Sequence, residues 1–155
     1  MEASAGLEIR PRRGQRTINT LAREFLDSNV LVYAFTSDSR AVVAQALLRR
    51  GCLVSVQGLN EFVNVARRKL RLPWPEIREA LAAIRVLCPT ILPIDAQTHG
   101  TALDLAERHG FAIFDALIVA AAVQVDAEIL WSEDMQDGMT INGTLRIANP
   151  FRAAG

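Results

Sequence analysis

Phe25-Leu26-Asp27-Ser28-Asn29-Val30-Leu31-Val32-Tyr33-Ala34 is the stretch from which the fold can be read. Phe25 and Leu26 form a short apolar run that stops at a carboxylate. Ser28 and Asn29 are good helix-capping residues, and a second apolar run follows from Val30 to Phe35. A buried strand that ends at an acid and turns straight into a helix fits this order. In open α/β sheets ligands bind beyond the carboxyl ends of the strands, so an Asp placed there is positioned for chemistry. Three later stretches set an acid beside an apolar element: Asn60-Glu61-Phe62, Phe114-Asp115-Ala116 and Ser132-Glu133-Asp134.

Outward from that point the chain alternates between the two periodicities. Val43, Ala46 and Leu47 lie at helical spacing before Gly51, and Cys52-Leu53-Val54 reads as a second buried strand. Ser55 is placed to cap a helix over residues 56–71, whose stripe is Leu59, Phe62, Val63, Ala66 and Leu70. Pro73-Trp74-Pro75 interrupts it, and a further helix is expected over 75–87. Ile91-Leu92-Pro93-Ile94 is a short strand whose Pro suits an edge. A helix over 95–109 closes at Gly110, and Asp115 opens one that is apolar nearly all round. Strands follow at 128–131 and 145–148. The alternation predicts an α/β fold with a mostly parallel central sheet and helices on both faces.

The length of 155 residues suits one domain. Residues 1–22, rich in Gly, Ala and Arg, read as a flexible extension and 23–155 as the folded domain. A 50% hydrophobic content and zero formal charge argue against disorder and against a global attraction to polyanions. Lys69 is the single lysine among the 17 basic residues. Cys52 and Cys88 show no metal-ligand spacing and are expected as buried thiols. No apolar run reaches the ~18 residues of a membrane span, and the expected location is the cytoplasm.

Each acid has an ordinary structural explanation. Asp27 can serve as a helix cap, Asp115 as an N-cap or a first-turn acid favoured by the helix dipole, and Asp134 and Asp137 lie in a turn closed by Gly138. Glu61, read in the first turn of its helix, points roughly 160° away from the apolar stripe, as a solvated residue or a cleft-facing acid would. Jointly, Asp27, Asp134 and Glu61 each follow the carboxyl end of a strand, and these ends share one edge in a parallel sheet. Clustered carboxylates need raised pKa values or a cation, and Mg²⁺ or Mn²⁺ is the natural oxygen-liganded partner. Such a site suits metal-assisted phosphoryl transfer.

With the four stretches in this order and spacing, the chain from Phe25 to Ile147 resembles the PIN-domain ribonucleases, and among them the VapC-type toxins of toxin–antitoxin pairs. The resemblance implies a PIN-like (Rossmann-like) domain that cleaves structured RNA such as tRNA or rRNA with Mg²⁺ or Mn²⁺. Asp27, Glu61, Asp115 and Asp134 would be the catalytic, metal-binding acids, and Asp137 a secondary candidate. Ser28, Asn29 and Ser132 would support them. Arg68, on the Glu61 side of the helical wheel, is a candidate RNA contact. The implied partners are a small cognate antitoxin and a second copy in a homodimer, with no membrane. Two other classes remain open, a non-catalytic RNA-binding module and a phosphoacceptor domain. The latter needs adjacent acids after its first strand and a late lysine, whereas this chain offers Asp27 alone and Lys69 in mid-helix.

Overall fold

The computed structural model describes residues 23–152. The extension over residues 1–22 lies outside the described residues. Six strands and six helices alternate in the order β1 (Glu24–Leu26), α1 (Ser28–Tyr33), α2 (Ala41–Arg49), β2 (Val54–Ser55), α3 (Val56–Arg68), α4 (Trp74–Leu87), β3 (Ile91–Leu92), α5 (Ala96–His109), α6 (Ile113–Gln124), β4 (Ile129–Trp131), β5 (Thr140–Ile141) and β6 (Leu145–Ala148).

The strands form a four-stranded sheet, β1-β4-β6-β5, and a two-stranded one, β2-β3. A parallel bridge between Phe25 and Leu53 joins them, with Leu26 N–H donating to Leu53 C=O at 2.9 Å and Leu53 N–H to Glu24 C=O at 2.8 Å. The combined order is therefore β3-β2-β1-β4-β6-β5. All pairings are parallel except β5 with β6. As its proline suggested, the Ile91 strand is an edge. The strand at Thr140–Ile141 is not legible in the sequence, because the turn that joins it to β6, rather than an apolar run, sets its pairing.

Strand side chains alternate between two cores, as a period of two requires. Phe25, Leu53 and Leu130 face one core, completed by Ala102 and Leu105 of α5 and by Ala116 to Ala122 of α6. Leu26, Val54 and Trp131 face the other, against α1 to α4 with Leu31, Leu48, Phe62, Ile77 and Ile84. Helices thus cover both faces, which parallel strands need because both their surfaces are apolar. Cys52 and Cys88 are buried free thiols, and burial pushes both thiols up, to about 12 and about 11. Among the described residues no helix is long and apolar enough to cross a membrane.

Some boundaries differ from the sequence expectation. α3 ends at Arg68, three residues before Arg71, which takes a left-handed φ of 55°. α6 begins at Ile113, so Asp115 lies inside its first turn and Ala112 is the N-cap. α5 ends as read, with Gly110 left-handed at φ 80° and its N–H donating to Ala106 C=O.

Candidate active site

The parallel register of β2, β1 and β4 brings their carboxyl ends to one edge of the sheet. Asp27 follows β1 and is only 2% exposed. It caps α1 by accepting from the Ser28 N–H at 2.6 Å. The cap uses only one oxygen; the other turns to the neighbouring elements. That second oxygen, Oδ2, accepts from Ser132 Oγ at 2.7 Å and from Asn29 Nδ2 at 3.1 Å. Ser132 follows β4 and is itself fully buried. Its hydroxyl also accepts from the Met135 N–H at 3.1 Å, so it ties the turn after β4 to Asp27.

Two more acids hang on the same polar residues. Ser28 Oγ donates to Glu61 Oε1 at 2.8 Å, and Asn29 Nδ2 donates to Asp134 Oδ2 at 3.1 Å. Ser28 is therefore the link from α1 to Glu61, and Asn29 the link to Asp134. Glu61 lies in the second turn of α3, one turn later than its sequence reading, and is half-buried rather than solvated. Its other oxygen accepts from Gln57 Nε2 at 3.0 Å, an i, i+4 pair on one helix face. Asp115 enters from α6 and is half-buried.

The electrostatics tie the set together. Burial pushes the Asp27 carboxyl from 3.8 up to about 6 against the hydrogen bonds from Ser132 and Ser28, and the charges of Glu61 and Asp115 add to the rise. Burial also raises Asp115, and there Glu61 and Asp134 contribute. Four carboxylates, two beyond strand ends and two in the early turns of α3 and α6, thus share one electrostatic neighbourhood. Among the described residues no three acids form a ready-made metal cage. The donor set is nevertheless all-oxygen and anionic, held by neutral Ser, Asn and Gln donors, which is the chemistry that hard divalent cations take.

A family model described as the PIN domain matches residues 25–136. The chain belongs to the PIN domain family. No curated protein sequence matches it. Solved structures with this PIN fold include a toxin–antitoxin complex from Klebsiella pneumoniae, 22% identical with a TM-score of 0.61, covering 82% of this chain and 97% of that one. VapBC2 from Rickettsia felis, bound to a DNA fragment from its promoter, is 21% identical with a TM-score of 0.59, covering 81% and 97%. VapC20 from Mycobacterium tuberculosis, described as a sarcin–ricin loop cleaving toxin, is 17% identical with a TM-score of 0.57, covering 72% and 89%.

The remaining candidates in the PIN domain lie apart from this cluster or at its margin. Both oxygens of Asp137 are engaged elsewhere, with the Asn149 N–H at 2.8 Å and Arg152 Nη1 at 2.9 Å. The Asn149 amide is the main cause holding its carboxyl below the usual range, with Arg152 adding to it. Arg68 is exposed on α3. His99 and His109 both lie on α5, which packs on the opposite face of the sheet from α1 and α3.

Sequence reasoning missed three residues that shape the site. Gln57 is buried and holds Glu61; its signal was the i, i+4 spacing to an acid. Glu133 accepts from Tyr33 Oη at 2.7 Å and from Arg40 Nε at 2.8 Å. Its own N–H donates to Asn29 Oδ1 at 3.3 Å, so the Tyr33–Arg40 clamp braces the turn that carries Asp134. Burial first, then the bond to Glu133, pushes the Tyr33 phenol up to about 12, which keeps it a donor at all working pH values. Long-range partners such as Tyr33 and Glu133 leave no trace in local spacing.

Proposed function

We propose that this PIN domain is a divalent-metal-dependent endoribonuclease and the toxin of a toxin–antitoxin pair. The observation that carries the reading is the buried Asp27 carboxylate, hydrogen-bonded to Ser132 and Asn29 and sharing its field with Glu61 and Asp115. A buried acid flanked by acids, without a cationic side chain among its hydrogen-bond partners, is costly unless the site exists to receive a cation.

Asp27, Glu61, Asp115 and Asp134 would hold the ion, Mg²⁺ or Mn²⁺. When bound, it supplies activation of water and neutralisation of phosphate charge. Ser28, Asn29, Ser132 and Gln57 fix the carboxylate orientations through the bonds described above, so less reorganisation accompanies binding. Asp137, held by Arg152 and the Asn149 amide, serves the turn rather than the ion. The all-carboxylate set provides no imidazole to deprotonate a ribose 2′-hydroxyl, which favours hydrolysis by external water.

RNA as substrate is supported by the likeness to VapC20, which is described as a sarcin–ricin loop cleaving toxin. A small antitoxin as partner is supported by the likeness to complexes that contain one. We extend the same reading to a homodimer acting in the cytoplasm. The test is incubation of the purified protein with tRNA and rRNA, with Mg²⁺, Mn²⁺ or excess EDTA. Metal-dependent cuts that vanish in Asp27→Asn are expected. Cleavage unchanged by EDTA would refute the reading.

A further inference from the structure

A groove of about 610 Å³ opens beside the acids. Ser28, Asn29 and Asp134 of the acid cluster line it, and so do Val65, Lys69 and Leu70 at the C-terminal end of α3. Glu61, Val65 and Lys69 stand at i, i+4 and i+8, so one helix face runs from the acid cluster to the lysine. At 1.5 Å per residue that path is about 12 Å.

The charges along it leave two uncompensated poles. Glu133 and Asp38, which also line the groove, are both bonded to Arg40, at 2.8 and 3.0 Å. Lys69 has no carboxylate partner among the described residues. It is exposed, and its N–H continues the helix by donating to Val65 C=O at 2.8 Å, which fixes where its side chain departs. Every other basic residue of the chain is Arg. An ammonium binds a phosphate as a point charge without demanding a planar fork, and so tolerates the varied backbone of a single strand.

We propose that Lys69 marks a second phosphate subsite, holding the backbone of a single-stranded RNA segment whose scissile phosphate lies at the acid cluster. This inference rests on the nuclease reading for the direction of the strand and deepens it by naming the track the strand follows. Val65 and Leu70 give an apolar wall beside the cation, Thr36 and Ser37 a wall with hydroxyls, and neither reads a sequence. The subsite therefore adds affinity uniformly rather than choosing a base.

Because Lys69 is the only lysine, amine-directed acylation labels it and the N-terminal amine alone, and peptide mapping separates the two. The experiment uses the full chain as Asp27→Asn, so that bound single-stranded RNA survives. RNA is expected to slow acylation of Lys69 severalfold while leaving the N-terminal amine unchanged. Lys69→Ala is expected to weaken binding of all RNA sequences alike and to lower the slope of log K against log salt by about one, and Lys69→Arg to restore both. Unchanged acylation with RNA bound, or an unchanged salt slope in Lys69→Ala, would overturn the proposal, as would protection by polyglutamate without protection by RNA. The outcomes also separate from the nuclease reading. Protection with a wild-type protein that never cleaves leaves the subsite and removes the nuclease, whereas cleavage without protection removes the subsite alone.

Discussion

Asp27→Asn should make the metal-free protein more stable while abolishing cleavage, and the size of the effect follows from the site. The Asp27 carboxyl is raised from 3.8 to about 6. That rise corresponds to about 3 kcal/mol. The group is only 2% exposed, so solvent screening gives no reason to discount that value. The sign follows from proton binding. The folded state holds this proton more tightly than the unfolded chain, so the stability it contributes is fully present below pH 3.8 and is lost as pH rises through about 6. Above that, wild type carries the whole cost of a buried charge. The amide removes the charge and can still accept from the Ser28 N–H, but its own NH₂ then faces the Asn29 Nδ2 donor, and the Ser132 hydroxyl must turn to accept where it donated. One opposed donor pair costs about 1 kcal/mol, leaving a net gain of about 2 kcal/mol at pH 7.5. For a chain of this size that is about 5 °C in Tm. Thermal unfolding in EDTA between pH 4 and pH 8, on both proteins, measures it. The two Tm curves should cross at about pH 4.5, with wild type melting higher below it, and separate in the variant's favour toward neutrality. A constant separation, or an Asp27→Asn variant that melts lower than wild type at pH 7.5, would refute the reasoning.

Further outcomes follow from the same geometry. Mg²⁺ or Mn²⁺ should raise the wild-type Tm by mass action, and the rise should shrink in Asp115→Asn; equal rises would place the ion elsewhere. Tyr33→Phe, which removes the hydroxyl braced on Glu133, should weaken Mn²⁺ affinity by about tenfold at most with little change in Tm, read by calorimetric titration; unchanged affinity would detach Glu133 from the site. Phe62→Ala, at a fully buried position where α3 meets the core, should cost about 3–5 kcal/mol in urea unfolding, and a cost below about 1 kcal/mol would show a looser core. The cut ends should carry 5′-phosphate and 3′-hydroxyl, and a His99→Ala/His109→Ala double variant should keep its activity; 2′,3′-cyclic phosphate ends would overturn the water-hydrolysis route.

How far the sequence reveals this arrangement depends on the distance over which each determinant acts. The strand–acid–helix order at Phe25 to Ala34, the stripe of α3 and the apolar α6 are all local patterns. They sufficed for an α/β fold with parallel strands because burial on both faces leaves a continuous apolar signature. β5 escaped notice because its pairing with β6 is set by the turn at Asn142–Gly143, where both residues take positive φ, rather than by side-chain alternation. The start of α6 was misplaced because an acid in a first turn and an acid at an N-cap look alike in one dimension.

The site divides along the same line. Asp27, Glu61, Asp115 and Asp134 could be nominated because a parallel sheet brings strand ends together whatever the details of packing. Asp137, three residues past Asp134, satisfies the same local criteria and is drawn off only by Arg152 and the Asn149 amide, which are contributed by the segment after β6. Arg68 and Lys69 are adjacent in sequence but about 100° apart on the wheel, and the helix periodicity alone favours the arginine. The end of α3 decides between them, since the chain departs from regular helix at Lys69 and that residue, not Arg68, lines the groove. Local sequence thus nominates acids, and the packing of distant segments selects among them. The bonds that select, from Ser132 to Asp27, Asn29 to Asp134 and Tyr33 to Glu133, each span about a hundred residues of chain. Contacts of that span close large loops, whose entropic cost the rest of the fold must offset. The acids are therefore brought to their final spacing by the completed fold, and changes at Tyr33 or Ser132 should act on metal affinity before they act on stability.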